Sequence, residues 1–337
     1  MTTAFVTDAL FLEHRNDGHP ERPERLRAIL EQLQSMGLRS RMVDLEPRDA
    51  TDDEIRRVHS ARVIEWAHEL AAAGGGWADL DTYVNAESPA VARRAAGGVL
   101  AATQAVLRGE ARNAFAAVRP PGHHATPRQL MGFCLLNNVA IAAGAALDAG
   151  VARVAIVDWD VHHGNGTQAI FDADPRVLYF STHASPFYPG TGRIEDAGIG
   201  WARGTKLNAP LPPGTGDAGF LEAYARVCVP ALERFRPELM LVSSGWDAHA
   251  RDPLAPLLVS TAGYTEAARM VLGAADALCD GRVVATLEGG YDERALAWCA
   301  SALCELLLGI PVTPDSSPVS VPASEPDVTP MVEALRR

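Results

Sequence analysis

Residues 155–166 read Ala-Ile-Val-Asp-Trp-Asp-Val-His-His-Gly-Asn-Gly, an apolar run that ends in acidic and histidine residues before a glycine-rich turn. The run up to Val157 predicts a buried strand. Side chains two residues apart in extended backbone point to one side, so Asp158, Asp160 and His162 face the same way. Carboxylates and a neutral imidazole in this arrangement are typical of a divalent metal site, such as a zinc site. The alternative is a solvated turn between a strand and a helix, in which these residues are ordinary caps.

The composition is that of a globular protein with a sizeable core. The chain has 337 residues, of which 47% are hydrophobic and 21% charged, and its formal net charge is -12. It contains no block of Lys and Arg and no basic stripe interrupted by aromatic residues, which argues against nucleic acid as a ligand. An acidic surface favours cationic substrates such as lysine side chains or polyamines, although many proteins are acidic for solubility alone.

The apolar segments predict a cytoplasmic protein that does not span a membrane. Residues 1–17 lack the basic and apolar regions of a signal peptide. The longest apolar segment, Ala295 to Ile310, is interrupted by Glu305 and is too short to cross a bilayer. The five cysteines form no C-x-x-C pair, so we expect buried thiols in a reducing compartment.

Apolar strands alternate with helical segments along most of the chain. We predict strands at residues 4–7, 114–118, 154–157, 177–181, 239–243 and 283–287. The alternation is typical of an α/β protein with a mostly parallel sheet, here in one domain of residues 1–310. Residues 311–337 are rich in Pro, Ser and Thr and predict an extended or mobile tail.

Polar residues follow several of these strands, and in an open α/β sheet such strand ends meet in one crevice. A catalytic zinc site has three protein ligands and one open position. Asp160 and His162 supply two ligands, and we expect the third from a neighbouring strand. Asp247 is the first candidate because it follows an apolar strand and lies near a glycine, and His249 is the second. Taken alone, Asp247 is also consistent with a helix N-cap.

A pair of histidines provides groups for acid–base chemistry. His123 and His124 follow Pro-Pro-Gly, a turn that can direct both imidazoles into a cavity. One histidine can act as general base while the other holds charge. Asp158 and Asn165 are the groups available to orient them. An isolated His-His pair is more often structural, so this interpretation depends on the metal motif nearby.

Loop aromatics form a second set of candidates. Tyr291 follows Gly289 and Gly290, which allow the backbone to approach a ligand closely, and its phenol can donate to a developing oxyanion. Packing against the next helix is the alternative for this tyrosine. Phe133 and Tyr188 also lie on loops and can form the walls of a narrow slot for an alkyl chain, with core packing as the alternative for each.

Several motifs together resemble the zinc-dependent histone deacetylase superfamily. They are Arg119-Pro-Pro-Gly-His-His-Ala125, Gly132-Phe-Cys-Leu-Leu-Asn-Asn138, Asp158-Trp-Asp-Val-His-His-Gly-Asn-Gly166, Gly245-Trp-Asp-Ala248 and Glu288-Gly-Gly-Tyr291. The resemblance extends from about His19 to about Leu308 and is closest to the class II-like branch, which includes bacterial deacetylases and acetylpolyamine amidohydrolases. It implies the arginase/deacetylase α/β fold, a single domain with a mostly parallel, eight-stranded sheet flanked by helices.

The resemblance implies two kinds of metal site. Asp160, His162 and Asp247 match the ligands of one zinc ion per chain. A structural monovalent cation, usually potassium, is held in the family by the segments that match Asp158, Asp160, His162, Ser181 and Thr182. A second monovalent cation is expected around Phe171, Asp174 and Val177. Ligand type alone does not separate zinc from ferrous iron.

It also implies catalytic and substrate-binding roles. His124 matches the general base, and the tandem histidines are expected to pair with Asp158 and Asn165, respectively. Tyr291 matches the catalytic tyrosine. The residues that match the acyl-lysine tunnel are Gly132, Phe133 and Tyr188. Arg25 matches an arginine that lines an internal acetate channel.

The implied activity is removal of acetyl or other short acyl groups from ε-N-acyl-lysine in a peptide or protein. Leu254 stands where polyamine-specific members have a gatekeeper glutamate, and its lack of charge disfavours a cationic polyamine. Hydrolysis of acetylpolyamines or other small acylated amines is the alternative, and a non-enzymatic acyl-binding protein is a third interpretation. The oligomeric state stays open.

Overall fold

The computed structural model describes residues 2–320 and 324–336, and an eight-stranded parallel sheet forms its centre. The strands of the described residues, in chain order, are β1 (Thr3–Val6), β2 (Val43–Asp44), β3 (Gly76–Trp77), β4 (Tyr83–Val84), β5 (Asn113–Ala116), β6 (Val154–Asp158), β7 (Val177–Ala184), β8 (Lys206–Leu211), β9 (Leu239–Ser244) and β10 (Val283–Leu287). The sheet order is β2-β1-β5-β10-β9-β6-β7-β8, and β3 pairs with β4 as a separate antiparallel hairpin. The predicted fold class is confirmed.

Helices flank this sheet in two groups. The helices of the described residues are α1 (Pro23–Ser35), α2 (Asp52–Ile55), α3 (Ala61–Ala72), α4 (Ser88–Leu107), α5 (Asn138–Asp148), α6 (Asn165–Phe171), α7 (Asp217–Ala223), α8 (Val229–Phe235), α9 (Thr261–Cys279), α10 (Glu293–Leu307) and α11 (Thr329–Leu335). One group is built on α3, α4 and α5, and the other on α1, α10 and α9. A π-helical turn, Tyr224–Cys228, connects α7 to α8. Among the described residues, no helix is long and apolar enough to cross a membrane.

All six predicted strands are present, because each is an apolar run buried on both faces of a parallel sheet. The two edge strands, β2 and β8, were not predicted. β2 has two exposed residues, and β8 contains a lysine, an asparagine and a proline. An edge strand tolerates proline because one side of it needs no ladder partner. The lysine and asparagine of β8 are buried and hydrogen-bonded, which sequence periodicity does not show.

The register of the sheet brings the polar strand ends together. Asp158, the last residue of β6, pairs with Ser181 of β7 on one side and with Ser243 of β9 on the other. β10 lies between β9 and β5, so the segments that follow these three strands are neighbours. The loops after β5, β6, β9 and β10 therefore meet at one edge of the sheet, as expected for a parallel α/β fold.

The C-terminal segment differs from the expected mobile tail. The helix α11 packs on the body of the protein, and Val328 and Val332 are buried. The carboxylate of Glu325 accepts hydrogen bonds from the backbone N–H groups of Gly216 and Gly219 at the start of α7. The segment is therefore docked by apolar burial and by capping of a helix. Of the predicted tail, residues 321–323 and 337 lie outside the described residues.

The cysteines agree with the sequence-based expectation of buried thiols. All five are free and buried. Burial raises the pKa of the thiols of Cys228, Cys299 and Cys304. These side chains therefore act as small apolar groups in the core.

Candidate active site

Three ligand-type side chains converge beyond β6 and β9. Ligand atoms of Asp160, His162 and Asp247 lie within 4.8 Å of one another. Nδ1 of His162 is 3.0 Å from Oδ1 of Asp160 and 3.2 Å from Oδ2 of Asp247. Both carboxylates are fully buried, which is costly without a cation. His249 lies outside this cluster, with its Nε2 3.2 Å from Oγ1 of Thr261.

The surrounding backbone leaves room for an ion in this cluster. The N–H of Val161 donates to Oδ1 of Asp247 at 2.7 Å, and the N–H of Gly289 donates to Oδ2 of Asp160 at 2.8 Å. Oδ2 of Asp247 is buried, and no hydrogen bond within the described part of the chain reaches it, although Nδ1 of His162 lies 3.2 Å away. A Cβ atom at Gly245 or Gly289 would collide with these carboxylates. The two oxygen donors and one nitrogen donor fit a divalent ion such as zinc.

The tandem histidines pair with different partners. Nδ1 of His123 is 3.0 Å from Oδ2 of Asp158, and Nδ1 of His124 is 2.7 Å from the amide oxygen of Asn165. Burial lowers the pKa of His124, and the neighbouring histidines lower it further. Burial also acts to lower the pKa of His123, but Asp160 and then Asp158 outweigh it, so this pKa lies well above its usual value. One histidine is paired with a carboxylate and the other with a neutral amide.

Tyr291 is held by contacts to its own N–H and to the backbone that precedes it. Its own N–H donates to Oδ2 of Asp252 at 2.6 Å. The guanidinium of Arg25 donates to the backbone oxygens of Gly290 at 2.6 Å and Glu288 at 2.5 Å. Arg25 is fully buried. These contacts restrict the positions that the phenol can take.

A cavity of about 260 Å³ gives access to the cluster. Its lining contains the predicted residues His123, His124, Gly132, Phe133, His162, Tyr188, Leu254, Gly289 and Tyr291. Pro20, Asp81 and Pro121 also line it and were not predicted. The rings of Phe133 and Tyr291 are perpendicular, with centroids 5.8 Å apart. Tyr188 and Leu254 are 37% and 36% exposed, which places them towards the mouth of the cavity.

Backbone strain occurs in the wall of this cavity. Gly132 and Phe133 have φ angles of 57° and 68°, and the left-handed region is unfavourable for phenylalanine. A side chain at position 132 would collide with the ring of His124. The N–H of Phe133 donates to Oγ1 of Thr82 at 3.0 Å, which ties this wall to the turn between β3 and β4. The glycine therefore allows the wall to lie directly against the histidine.

The residues expected to hold a monovalent cation lie side by side on β6 and β7. Ser181 is the register partner of Asp158, and Thr182 follows it; both are buried. Oγ of Ser181 is 3.0 Å from Nδ1 of His183, and Oγ1 of Thr182 is 3.1 Å from the hydroxyl of Tyr224. The structure brings these residues together, and the cation itself stays a prediction.

A lysine ammonium occupies the region of the second expected monovalent cation. Nζ of Lys206 donates to the backbone oxygen of Val177 at 2.7 Å and to that of Asp174 at 3.2 Å. It also donates to Oγ1 of Thr205 at 2.7 Å. Two of the three expected segments thus bind a cation that belongs to the protein. This contact was not predicted, because β8 was not recognised as a strand.

Three buried polar residues of the site had no predicted role. Burial raises the pKa of Glu288 and of Asp252 to about 7, and both residues lie in loops that carry predicted site residues. The hydroxyl of Tyr179 donates to Oδ2 of Asp158 at 3.0 Å. Glu288 directly precedes Gly289, and Asp252 lies two residues before Leu254. Their position beside predicted site residues is a signal that the sequence contains. Tyr179 lies within an apolar strand and gave no such signal.

Comparison with known proteins agrees with this geometry. Residues 19–307 match the histone deacetylase domain family. The chain therefore belongs to this family.

Its similar proteins are described as deacetylases or related amidohydrolases. A probable deacetylase of Archaeoglobus fulgidus is 42% identical over 313 residues, which cover 92% of this chain and 87% of that protein. A histone deacetylase-like amidohydrolase of Pseudomonas aeruginosa is 44% identical over 295 residues, covering 87% of this chain and 78% of that protein. The crystal structure of the HDA15 HD domain superposes with a TM-score of 0.90 at 37% identity, covering 99% of this chain and 93% of that one.

Proposed function

We propose that this protein hydrolyses the amide of ε-N-acyl-lysine, with acetyl-lysine as the main substrate, and releases a free amine and a carboxylate. The observation that carries the proposal is the cavity that leads to the cluster of Asp160, His162 and Asp247. His124 and Tyr291 line the same cavity. Metal ligands, a base and a phenol that share one cavity are the set that amide hydrolysis needs.

A zinc ion on Asp160, His162 and Asp247 would supply a Lewis acid that polarises the amide carbonyl and brings the pKa of water from about 15.7 towards 7. His124 accepts the proton of the attacking water at Nε2, because its Nδ1 is engaged by the amide oxygen of Asn165. Because the amide of Asn165 is uncharged and burial lowers the pKa of His124, this ring is neutral before the reaction and can accept a proton. The carboxylate of Asp158 at Nδ1 of His123 would stabilise a positive charge that forms on this ring during the reaction.

Tyr291 donates its phenolic hydrogen to the developing oxyanion, and a protonated histidine then passes its proton to the leaving amine. Phe133 and Tyr188 enclose the alkyl chain of the substrate. Arg25 fixes the loop of Tyr291 and, as the family resemblance implies, faces the route by which the acid leaves. We also assign a structural potassium ion to the segments of Asp158, Ser181 and Thr182; their adjacency on β6 and β7 supports this assignment.

The alternative substrate is a small acylated amine such as an acetylpolyamine. It would use the same chemistry and differ at the mouth of the cavity. Leu254 lies there without a charge, which favours acyl-lysine over a polycation. Asp81 also lines the cavity and adds one carboxylate, so the two substrate classes need a direct comparison.

Steady-state hydrolysis by the zinc-loaded protein tests the proposal. The substrates are acetyl-, propionyl- and butyryl-lysine peptides beside acetylputrescine and acetylspermidine. We expect turnover of the peptides, loss of turnover after chelation, and recovery with one equivalent of zinc. A preference for the acetylpolyamines would favour the alternative. No turnover of any of these amides by protein that contains zinc would contradict the proposal.

A further inference from the structure

Glu288 is a fully buried carboxylate at the end of β10 whose side-chain partners are all neutral. Its Oε2 accepts hydrogen bonds from the backbone N–H groups of Gly122 at 2.6 Å and His123 at 3.1 Å. Its Oε1 accepts from the hydroxyl of Ser243 at 3.0 Å. Burying a carboxylate is costly, so three donors directed at one side chain indicate a specific arrangement rather than chance packing.

The three donors belong to separate parts of the active site. Gly122 and His123 form the turn after β5 that carries the tandem histidines. Ser243 lies in β9, which leads to Asp247. Glu288 itself precedes the glycines and Tyr291. One side chain therefore joins the segments that carry the base, a metal ligand and the phenol, and β10 lies between the other two strands in the sheet.

The contact to the histidine turn is the most restrictive of these. Two successive N–H groups that converge on one oxygen fix the peptide plane between Gly122 and His123. That plane sets the direction in which the side chains of His123 and His124 leave the backbone. Misplacement of a catalytic group by about 1 Å can lower a rate about 100-fold.

We propose that Glu288 is a positioning residue for the hydrolytic reaction, which orients the His123–His124 turn relative to Tyr291 and the metal ligands through its hydrogen bonds. This inference rests on the proposed function. Glu288 is not among the residues that line the cavity, so its side chain is not placed to touch the substrate. Its effect should therefore appear in kcat rather than in KM.

Two substitutions separate the hydrogen bonds from the charge. In Glu288→Gln the amide oxygen can accept from both backbone N–H groups, and the amide nitrogen can donate to Ser243. In Glu288→Met the shape is similar and no acceptor remains. We expect Glu288→Met to lower kcat on an acetyl-lysine peptide about 100-fold with little change in KM, whereas Glu288→Gln stays within about tenfold of the wild type.

Glu305→Met is the matched control. Glu305 is a buried carboxylate of α10 that accepts hydrogen bonds from the N–H of Thr313 at 2.9 Å and from its hydroxyl at 2.6 Å. It lies outside the cavity, so its loss should lower the melting temperature and leave the kcat of the folded enzyme unchanged. Zinc content and melting temperature are measured for every variant, and the expected zinc content is one equivalent throughout.

The outcomes distinguish this inference from the function on which it rests. An active wild type with an unchanged kcat in Glu288→Met overturns the inference alone. So does an equal fall of kcat in Glu305→Met, or a Glu288→Gln variant as slow as Glu288→Met. A wild type that is inactive on all the acyl amides overturns the proposed function. If Glu288→Met does not fold, Glu288→Ala replaces it, because it also removes the acceptor of the Gly122 and His123 N–H groups. A wild-type kcat in that variant contradicts the proposal.

Discussion

The guanidinium carbon of Arg25 lies 4.8 Å from the centroid of the Tyr291 ring. The same guanidinium binds the backbone oxygens on both sides of Gly289. Arg25 therefore restrains both the loop and the ring of the tyrosine. This relationship joins a residue near the start of the chain to the loop after β10, and it restrains the phenol ring in the wall of the cavity.

Tyr291→Phe should lower kcat by about 100- to 1,000-fold, as expected when one oxyanion donor is removed. The phenol is not one of the three ligand-type side chains of the cluster, so the zinc content should remain that of the wild type. Steady-state kinetics and metal analysis of the same preparation check both points. Loss of zinc in this variant would contradict the separation of roles between the tyrosine and the metal ligands.

Leu254→Glu should shift the preference towards polyamines. A carboxylate at the cavity mouth attracts the distant ammonium groups of acetylspermidine, and we expect kcat/KM for this substrate to rise about tenfold relative to an acetyl-lysine peptide. Leu254→Gln is the control, because glutamine is polar and has the size of glutamate but carries no charge. An equal shift in both variants would show that charge does not select the substrate.

His59 should make the fold sensitive to acid. Its Nδ1 donates to the backbone oxygen of Thr126 at 2.8 Å, and its Nε2 accepts from the N–H of Asn137 at 2.9 Å, so the ring is neutral. Burial lowers the pKa of His59 to about 4, against 6.5 in the unfolded chain. The stability due to the neutral ring is complete above pH 6.5 and is lost as the pH falls towards 4, because the unfolded chain binds the proton first.

His59→Gln removes this titration and should change the pH dependence accordingly. The difference in the free energy of unfolding between wild type and variant should shrink by about 2 kcal/mol between pH 7 and pH 5. Urea unfolding at the two pH values measures it. The same difference at both pH values would contradict the assignment of a neutral, buried histidine.

Lys206→Met should destabilise the fold by about 2 kcal/mol, because the buried backbone oxygen of Val177 loses the ammonium as a donor. The backbone oxygen of Asp174 also loses this donor but keeps the N–H of Val177. Carbonyl oxygens also bind potassium, so potassium chloride should stabilise the variant more than the wild type, with choline chloride at equal ionic strength as reference. Thermal unfolding in the two salts provides the measurement. A variant as stable as the wild type would show that the ammonium does not hold these carbonyls together.

Local sequence determined the central part of the fold. β6, β9 and β10 are continuous apolar runs because a strand of a parallel sheet is buried on both faces. The edge strands lack such runs, and α11 has a short apolar face in a Pro-rich segment, so neither was predicted. The motif around Asp160 and His162 was recognisable because both residues lie on one short segment directly after β6, whose apolar run is clear in the sequence.

Tertiary structure alone decided which distant groups meet. It brings Asp247 rather than His249 to Asp160 and His162, and it places the ammonium of Lys206 against the backbone oxygens of Asp174 and Val177. Glu288 contacts a turn 165 or more positions earlier in the chain. Periodicity reports which face of an element is buried, since burial follows the local pattern of apolar side chains. Hydrogen bonds across the sheet depend on strand order and register, which arise only when the whole chain packs.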